Sequence, residues 1–570
     1  MRTRALTAIV ASFCACSSNQ DGLDGSVAAD GDSTTSIDAG VIADSGTEEA
    51  RDATVDATVD ASVVPQSGLT IQLDTGKVRG KQDGDLRAFL GIPFAEPPVG
   101  SRRFRPPVPV EPWTDIRETT DFGPACPQVK LGPELILGDF AGPQSEDCLS
   151  INVWAHDDAV TRPVMVFIYG GGFLLGSSAW PIYDARELAR NADVVVASFN
   201  YRVGPLGFLS TEALASESEE DSAGNYGIRD QVEALRWVQR NIAGFGGDPG
   251  NVTIFGESAG AISVCTLFGV PQADALFHKA IMESGFCALS EERDRGLLGA
   301  RPSIAAGEAL AASLGCGDPA TQLSCLRAMP VADLAEAVGV TSIFFGDIDA
   351  LGANSPHVDG AFVVEQPISR LRTSAGDKPF IAGSNSHEGI LFAASELVVS
   401  RAALRDGISR FAGDDESALD RIMDLYPASE FFLPSDAWIA FLGDLTFICP
   451  GLSAAEAASG GAMPSFAYHF RRSPLLTRAV GAAHGIELPY VFGTFSSMGI
   501  IPTASDDLVH RAIQGAWARF AQVGAPELSP RWRPYEPAAA TIAIFDDPVE
   551  MEISIRNGRC TKLKELGLVY

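Results

Sequence analysis

The residues with the clearest chemical potential are Gly256, Glu257, Ser258, Ala259 and Gly260. A G-x-S-x-G pentapeptide alone is common by chance. Here it follows the β-type run Asn251 to Phe255 and precedes the small-residue helical pattern "AGAISVCTLF". That context is a strand-to-helix elbow that lifts a serine hydroxyl out of the backbone. Such a turn crowds its neighbours, and glycines two before and two after relieve the crowding. The plain alternative is a tight turn with an incidental serine. A serine hydroxyl is a weak nucleophile at neutral pH, so it needs a base, and an attacked carbonyl needs N–H donors for its developing charge. The chemistry these parts would perform together is acyl transfer.

A second glycine cluster, Tyr169 to Phe173 ("YGGGF"), follows the apolar run Val164 to Ile168. Its unshielded backbone N–H groups, with that of Ala259, are candidate oxyanion donors. A Gly-rich turn and a phosphate loop are the alternatives. The cluster lacks the Lys-Ser/Thr ending of a phosphate loop. For the base, the expected chain order is nucleophile, acid, histidine. Of 7 histidines, His469, His484 and His510 are the last three and lie far downstream of Ser258. His469 sits in the strand-like "SFAYHF" and His510 beside a helical stripe, whereas His484 lies among small residues that a loop can present. His484 is therefore the expected base. Glu388, in "GSNSHEG" after a strand-like run, stands only modestly ahead of other carboxylates as the acid that would orient it.

The elements that must position these groups alternate between strands and helices from residue 69 on, as in an α/β fold. Strand runs read at Val164 to Tyr169, Asp193 to Phe199, Asn251 to Phe255, "FHKAIMESG" and "KPFIAGS". Ile228, Val232, Leu235, Val238 and Ile242 recur at helical spacing, as do Val509, Ile513, Trp517 and Phe520 before a stop at Gly524. Both stripes read as core packing. No linker or internal repeat interrupts residues 69–570, and no late apolar run looks long enough to cross a membrane.

Upstream, Arg2 and Arg4 precede a short apolar run, Ala5 to Phe13, which reads as an export signal over residues 1–16. Cys16 after Ala15 is a candidate for lipidation in the manner of bacterial lipoproteins; an ordinary cleaved signal is the alternative. Residues 17–68 repeat Ala, Asp, Ser, Thr and Val, with eleven acidic residues against one arginine and no aromatic. Such a composition cannot bury enough surface to offset ordering entropy. It reads as a flexible acidic tether ahead of a folded domain spanning 69–570.

The whole chain carries 42 Lys and Arg against 73 Asp and Glu, a net charge of -31. A polyanion would be repelled, which sets nucleic acid aside as a partner. Hydrophobic residues make up 46%, enough for a large core. Export would place the cysteines in an oxidising compartment. No cysteine or histidine cluster has metal-ligand spacing, so neither metal nor organic cofactor is expected.

Many segments together resemble the type-B carboxylesterases, the cholinesterase-like branch of the α/β-hydrolases. They are "FLGIPFAEPPVGSRRFRPP" (Phe89 to Pro107), "SEDCLSINVW", "YGGGF", "NYRVGPLGFLS", the stretch from Asn225 to Gly260, "GSNSHEG" and "AHGIELPYVFG". The resemblance covers about residues 69 to 565 with its motifs in order. It implies a large, mostly parallel twisted sheet flanked by helices. It also implies Ser258 as nucleophile, Glu388 as acid, His484 as base, and Gly171, Gly172 and Ala259 as oxyanion donors. Ser284 resembles a serine that supports the acid, and Arg103 with Glu146 a structural ion pair. The implied disulfides are Cys126–Cys148, Cys316–Cys325 and Cys449–Cys560, leaving Cys265 and Cys287 unassigned.

One departure matters. Cholinesterases carry a Trp before "SEDC" whose ring holds the choline cation; here "VKLGPELILGDFAGPQ" has none. Without it a quaternary ammonium loses most of its cation–π attraction. The expectation is therefore a general esterase for small-molecule esters. The triple glycine resembles the type that leaves room for bulky, even tertiary, alcohols. Alternatives stay open: amide hydrolysis with the same residues, a lipase using Glu134 to Gly142 as a lid, or a family member that only binds. The sequence is silent on oligomeric state.

Overall fold

The computed structural model describes residues 66–129, 142–158, 160–291, 303–338, 354–373, 377–393, 398–412, 415–475, 478, 480–539 and 541–570. The export signal, Cys16 and nearly all of the acidic segment lie outside the described residues, as does all of the lid-like stretch except Gly142.

An 11-stranded sheet organises the molecule. In chain order its strands are β1 Lys81–Asp83, β2 Leu86–Pro93, β3 Ser150–His156, β4 Arg162–Ile168, β5 Val195–Phe199, β6 Gly247–Glu257, β7 Lys279–Glu283, β8 Phe380–Asn385, β9 Ser465–Phe470, β10 Ile542–Phe545 and β11 Glu550–Glu552. Across the sheet they run β11-β10-β9-β8-β7-β6-β4-β5-β3-β2-β1. Every pairing from β5 through β10 is parallel, and the edge pairings are antiparallel. The central strands are apolar runs buried along their length, as strands covered on both faces must be.

The helices used below are α1 Tyr226–Asn241, α2 Ala259–Phe268, α3 Ile390–Ala393, α4 Pro434–Gly443, α5 Cys449–Ala458, α6 Ala504–Val523 and α7 Arg559–Glu565. The predicted stripe of α1 is buried, and that of α6 is fully so. Thr503 and Asp506 close a capping box at the start of α6, and Gly524 ends it with φ 76. A π turn, Asp444–Ile448, joins α4 to α5 into one helix, Pro434–Ala458. By length and composition that helix could cross a membrane, contrary to the expectation from sequence. Since 78% of its most apolar window is buried inside the protein, it serves as a core helix.

The three implied disulfides form, and Cys265 pairs with Cys287 at a Cα separation of 5.3 Å. The last pair ties α2 to the segment after β7, which sequence spacing did not reveal. Arg103 and Glu146 make the expected ion pair at 2.7 Å, and Arg103 also donates to the Met329 carbonyl at 2.7 Å.

A more deeply buried pair links α1 to the loop after β5. Arg202 Nη2 lies 2.7 Å from Asp230 Oδ1, with side chains 3% and 0% exposed. Asp230 also accepts the Arg202 backbone N–H at 3.0 Å. Removing one partner strands a charge away from water, at a cost of about 3–5 kcal/mol. Asp230→Ala is expected to lower the denaturation midpoint accordingly. A urea titration indistinguishable from wild type would show that Arg202 finds another partner or water.

Candidate active site

The C-terminal ends of β6, β7 and β8 lie side by side, with Glu283 paired to both Glu257 and Gly383. Ligand sites of open parallel sheets form beyond such strand ends. Ser258 stands there between β6 and α2, at φ 57 and ψ -124. A side chain at Gly260 would place Cβ 1.9 Å from the Ile168 carbonyl oxygen, so glycine is required for the elbow to sit on β4. The Ser258 N–H donates to the Glu283 carbonyl at 3.0 Å, which fixes the turn to β7. Ala259 opens α2, so its N–H belongs to the first turn, where no helical carbonyl can accept it.

The glycine cluster leaves β4 toward the serine. A Cβ on Gly170 would lie 2.9 Å from Ser258 Cβ. Gly171, Gly172 and Phe173 all take positive φ, and the Leu174 N–H folds back onto the Gly171 carbonyl at 3.1 Å. The root of the loop is held by Tyr169 and Tyr201, whose rings stack at 4.4 Å and whose hydroxyls each donate to the other's carbonyl. The loop is also next to a carboxylate, since that same Gly170 Cβ would be 2.9 Å from Glu257 Oε2.

Glu388 follows β8 and is fully buried. Its Oε2 lies 2.6 Å from His484 Nδ1. Its Oε1 accepts the Ser284 hydroxyl at 2.6 Å and the Asn385 N–H at 2.5 Å. A β-bridge between His387 and Ala483 sets the acid loop beside the histidine turn. His484 Nε2 in turn lies 3.1 Å from Glu257 Oε1, the residue before the serine. The structure therefore gathers Ser258, Glu388, His484, Ser284, Ala259 and the glycine loop at one end of the sheet. His469 and His510 are elsewhere: His469 Nδ1 meets Ser384 Oγ inside β9, and His510 Nδ1 meets the Tyr490 carbonyl.

Sequence reasoning gave no role to three further buried carboxyls: Glu257, Glu283 and Glu487. Glu257 lies inside the pentapeptide and Glu487 three residues after His484, so proximity to a motif was the available signal. Burial pushes Glu257 up to about 7, although the His484 charge opposes this. Burial pushes Glu283 up to about 8 against a 2.6 Å donation from Trp517 Nε1. Glu487 is held well above the usual range by burial, with the Glu257 and Glu388 charges adding to it. For His484, burial favours the neutral ring, but Glu257 and Glu388 outweigh it and raise the imidazole to about 9. The two carboxylates thus stabilise a positive charge on this ring, and the ring can take up a proton only from its neutral form.

Comparison with known proteins agrees with this geometry. A profile of the carboxylesterase family matches residues 67–562. A para-nitrobenzyl esterase of Bacillus subtilis (strain 168) is 34% identical over 488 residues, covering 84% of this chain and 94% of the relative. A cholinesterase of Mus musculus is 34% identical over 508 residues, 81% and 80% of the two chains. A fumonisin B1 esterase of Sphingopyxis macrogoltabida is 35% identical over 472 residues, 80% and 83% of the two. A solved thermophilic PNB esterase superposes with a TM-score of 0.74 at 32% identity, covering 87% of this chain and 99% of its own. The sheet is that of the α/β-hydrolases, and the chain belongs to the carboxylesterase family, as an enzyme that hydrolyses carboxylic esters.

Proposed function

We propose that Ser258 is the nucleophile, His484 the general base and Glu388 the acid that orients it. The observation that carries this is the run of contacts from buried Glu388 through His484 to the elbow that holds Ser258. His484 takes the Ser258 proton as the hydroxyl attacks the ester carbonyl. The N–H groups of Gly171, Gly172 and Ala259 stabilise the oxyanion. His484 returns the proton to the leaving alcohol, then activates water to hydrolyse the acyl-enzyme. A diethyl phosphate ester of p-nitrophenol would test the assignment. One adduct on the peptide containing Ser258, with parallel loss of activity, is expected; an adduct on another serine would overturn it.

Glu257 is proposed to tune this base. Removing its charge removes a stabiliser of the imidazolium, so the His484 pKa falls. The base then stays neutral at lower pH, and Glu257→Gln moves the acid limb of kcat/KM to lower pH. A limb that stays in place or moves up would remove Glu257 from that role.

For substrate, we propose esters of uncharged alcohols, including bulky ones, because the loop before "SEDC" lacks the tryptophan that would hold a cation best. Acetylcholine should be a poorer substrate than its neutral isostere 3,3-dimethylbutyl acetate; the reverse order of kcat/KM would refute this.

We further propose that the protein is exported and that residues 17–68 tether the folded domain, through Cys16 if that cysteine is lipidated. Four paired disulfides support the oxidising compartment. Buried Arg87 donates to the Gln66 and Gly68 carbonyls, which supports a boundary near residue 68. Mass spectrometry of the mature N-terminus tests the tether.

A further inference from the structure

The face of the His484 ring is covered by aromatic side chains that the mechanism above does not use. Phe447 stacks on the imidazole with centroids 4.5 Å apart and planes 25° from parallel. Phe392, on α3, meets the same imidazole edge-on at 5.8 Å and lies 5.7 Å from Phe447. Phe447 is 5% exposed and the His484 side chain 7%, so the stack excludes water.

Phe447 lies within the π turn, where the Cys449 N–H reaches five residues back to the Asp444 carbonyl. Such wide turns inside α-helices are rare and concentrate at functional sites. The extra residue changes which side chains face the site at this level. The turn is also firmly anchored. Fully buried Asp444 accepts the Tyr426 hydroxyl at 3.0 Å and Arg559 Nε at 3.1 Å, and its other oxygen lies 3.0 Å from Arg556 Nε. Arg556 also donates to the Ser386 carbonyl in the loop that carries Glu388. The next residue after the turn, Cys449, is bonded to Cys560. The same group of contacts therefore fixes the loop of the acid and the ring over the base.

We propose that Phe447 is a positioning residue for the ester hydrolysis: its ring fixes the plane of the His484 imidazole and stabilises the positive charge that the imidazole acquires as Ser258 attacks. A cation over an aromatic face is attracted by the ring quadrupole, more so when water is excluded. The inference rests on the reading of His484 as the base. The other groups facing this histidine are Glu388 at Nδ1, Glu257 at Nε2, and Glu487 from the start of the helix Leu488–Phe492. All are carboxyls that favour the same cation, so the ring's contribution must be separated from theirs by leaving them unaltered.

The experiment compares wild type with Phe447→Leu, Phe447→Met, Phe447→Tyr and, as reference, His484→Ala, on p-nitrophenyl acetate and butyrate across pH. Phe447→Met keeps bulk without a π face and serves if the leucine variant folds poorly. In the aliphatic variants kcat is expected to fall about thirtyfold, the scale of a desolvated cation–π contact. KM should be little altered, the acid-limb pKa of kcat should drop, and Phe447→Tyr should restore both. An unaltered kcat and pKa in a folded aliphatic variant would overturn the proposal. So would a change in KM alone that grows with acyl length, because the ring would then be only a pocket wall. If His484→Ala kept its activity, the base assignment itself would fall. If His484→Ala were inactive while the Phe447 variants matched wild type, only the present inference would fall.

Discussion

Ser258→Ala is expected to lower kcat for p-nitrophenyl butyrate by on the order of 10⁶, the scale seen when a triad nucleophile is removed. Little else should change. Alanine tolerates φ 57 no worse than serine, and the Ser258 N–H bond to the Glu283 carbonyl is a backbone contact that survives. The variant should thus keep its thermal midpoint and still bind substrate. Ser284 cannot substitute, because it is fully buried and already donates to Glu388. A loss of only tenfold in a folded variant would place the nucleophile elsewhere.

Glu388→Gln should lower kcat by roughly 10⁴, as when the acid of a triad becomes an amide. The geometry explains why so small a change is so costly. Two donors, Ser284 Oγ and the Asn385 N–H, both point at Oε1. They would select the amide orientation that keeps oxygen there. The amide NH₂ would then face His484 Nδ1 and force a proton onto Nε2, the nitrogen that must accept one from Ser258. Amide and carboxylate have nearly the same shape, so stability should change far less than rate. A loss of kcat accompanied by an equal collapse of the thermal midpoint would mean that Glu388 is mainly structural. Ser284→Ala frees one oxygen of the acid and should give a milder version of the same defect.

Much of this arrangement was legible in the chain. The glycine pentapeptide announced the elbow because Gly260 has no room for a side chain against Ile168. His484 stood out as a candidate because it lies among small residues, whereas Glu388, after a strand-like run, stood little above other carboxylates until the family resemblance singled it out. The stripes of α1 and α6 declared their buried faces through spacing alone. What remained hidden depends on contacts between distant parts of the chain. The Cys265–Cys287 pair joins two elements that meet only once β6 and β7 lie parallel. The acidic character of Glu257, Glu283 and Glu487 is altered by burial, which composition cannot report. Phe447 read as one more apolar residue of a long core helix; only the π turn aims it at the histidine. That helix also passed unnoticed as a long apolar segment, because Asp436, Asp444 and Glu456 interrupt it on paper.

The anchoring of Asp444 has a consequence in time. The carboxylate lies in the middle of a helix, whereas Arg556, Arg559 and Cys560 belong to the final stretch of chain, with 111 residues between Cys449 and Cys560. A ribosome delivers the nucleophile elbow, the glycine loop, the acid and the histidine well before those cations exist. Until they arrive, Asp444 has no counterion, and neither the loop of Glu388 nor the ring over His484 has its fastening. The fastening of the site therefore depends on a segment synthesised long after the helix that carries Asp444.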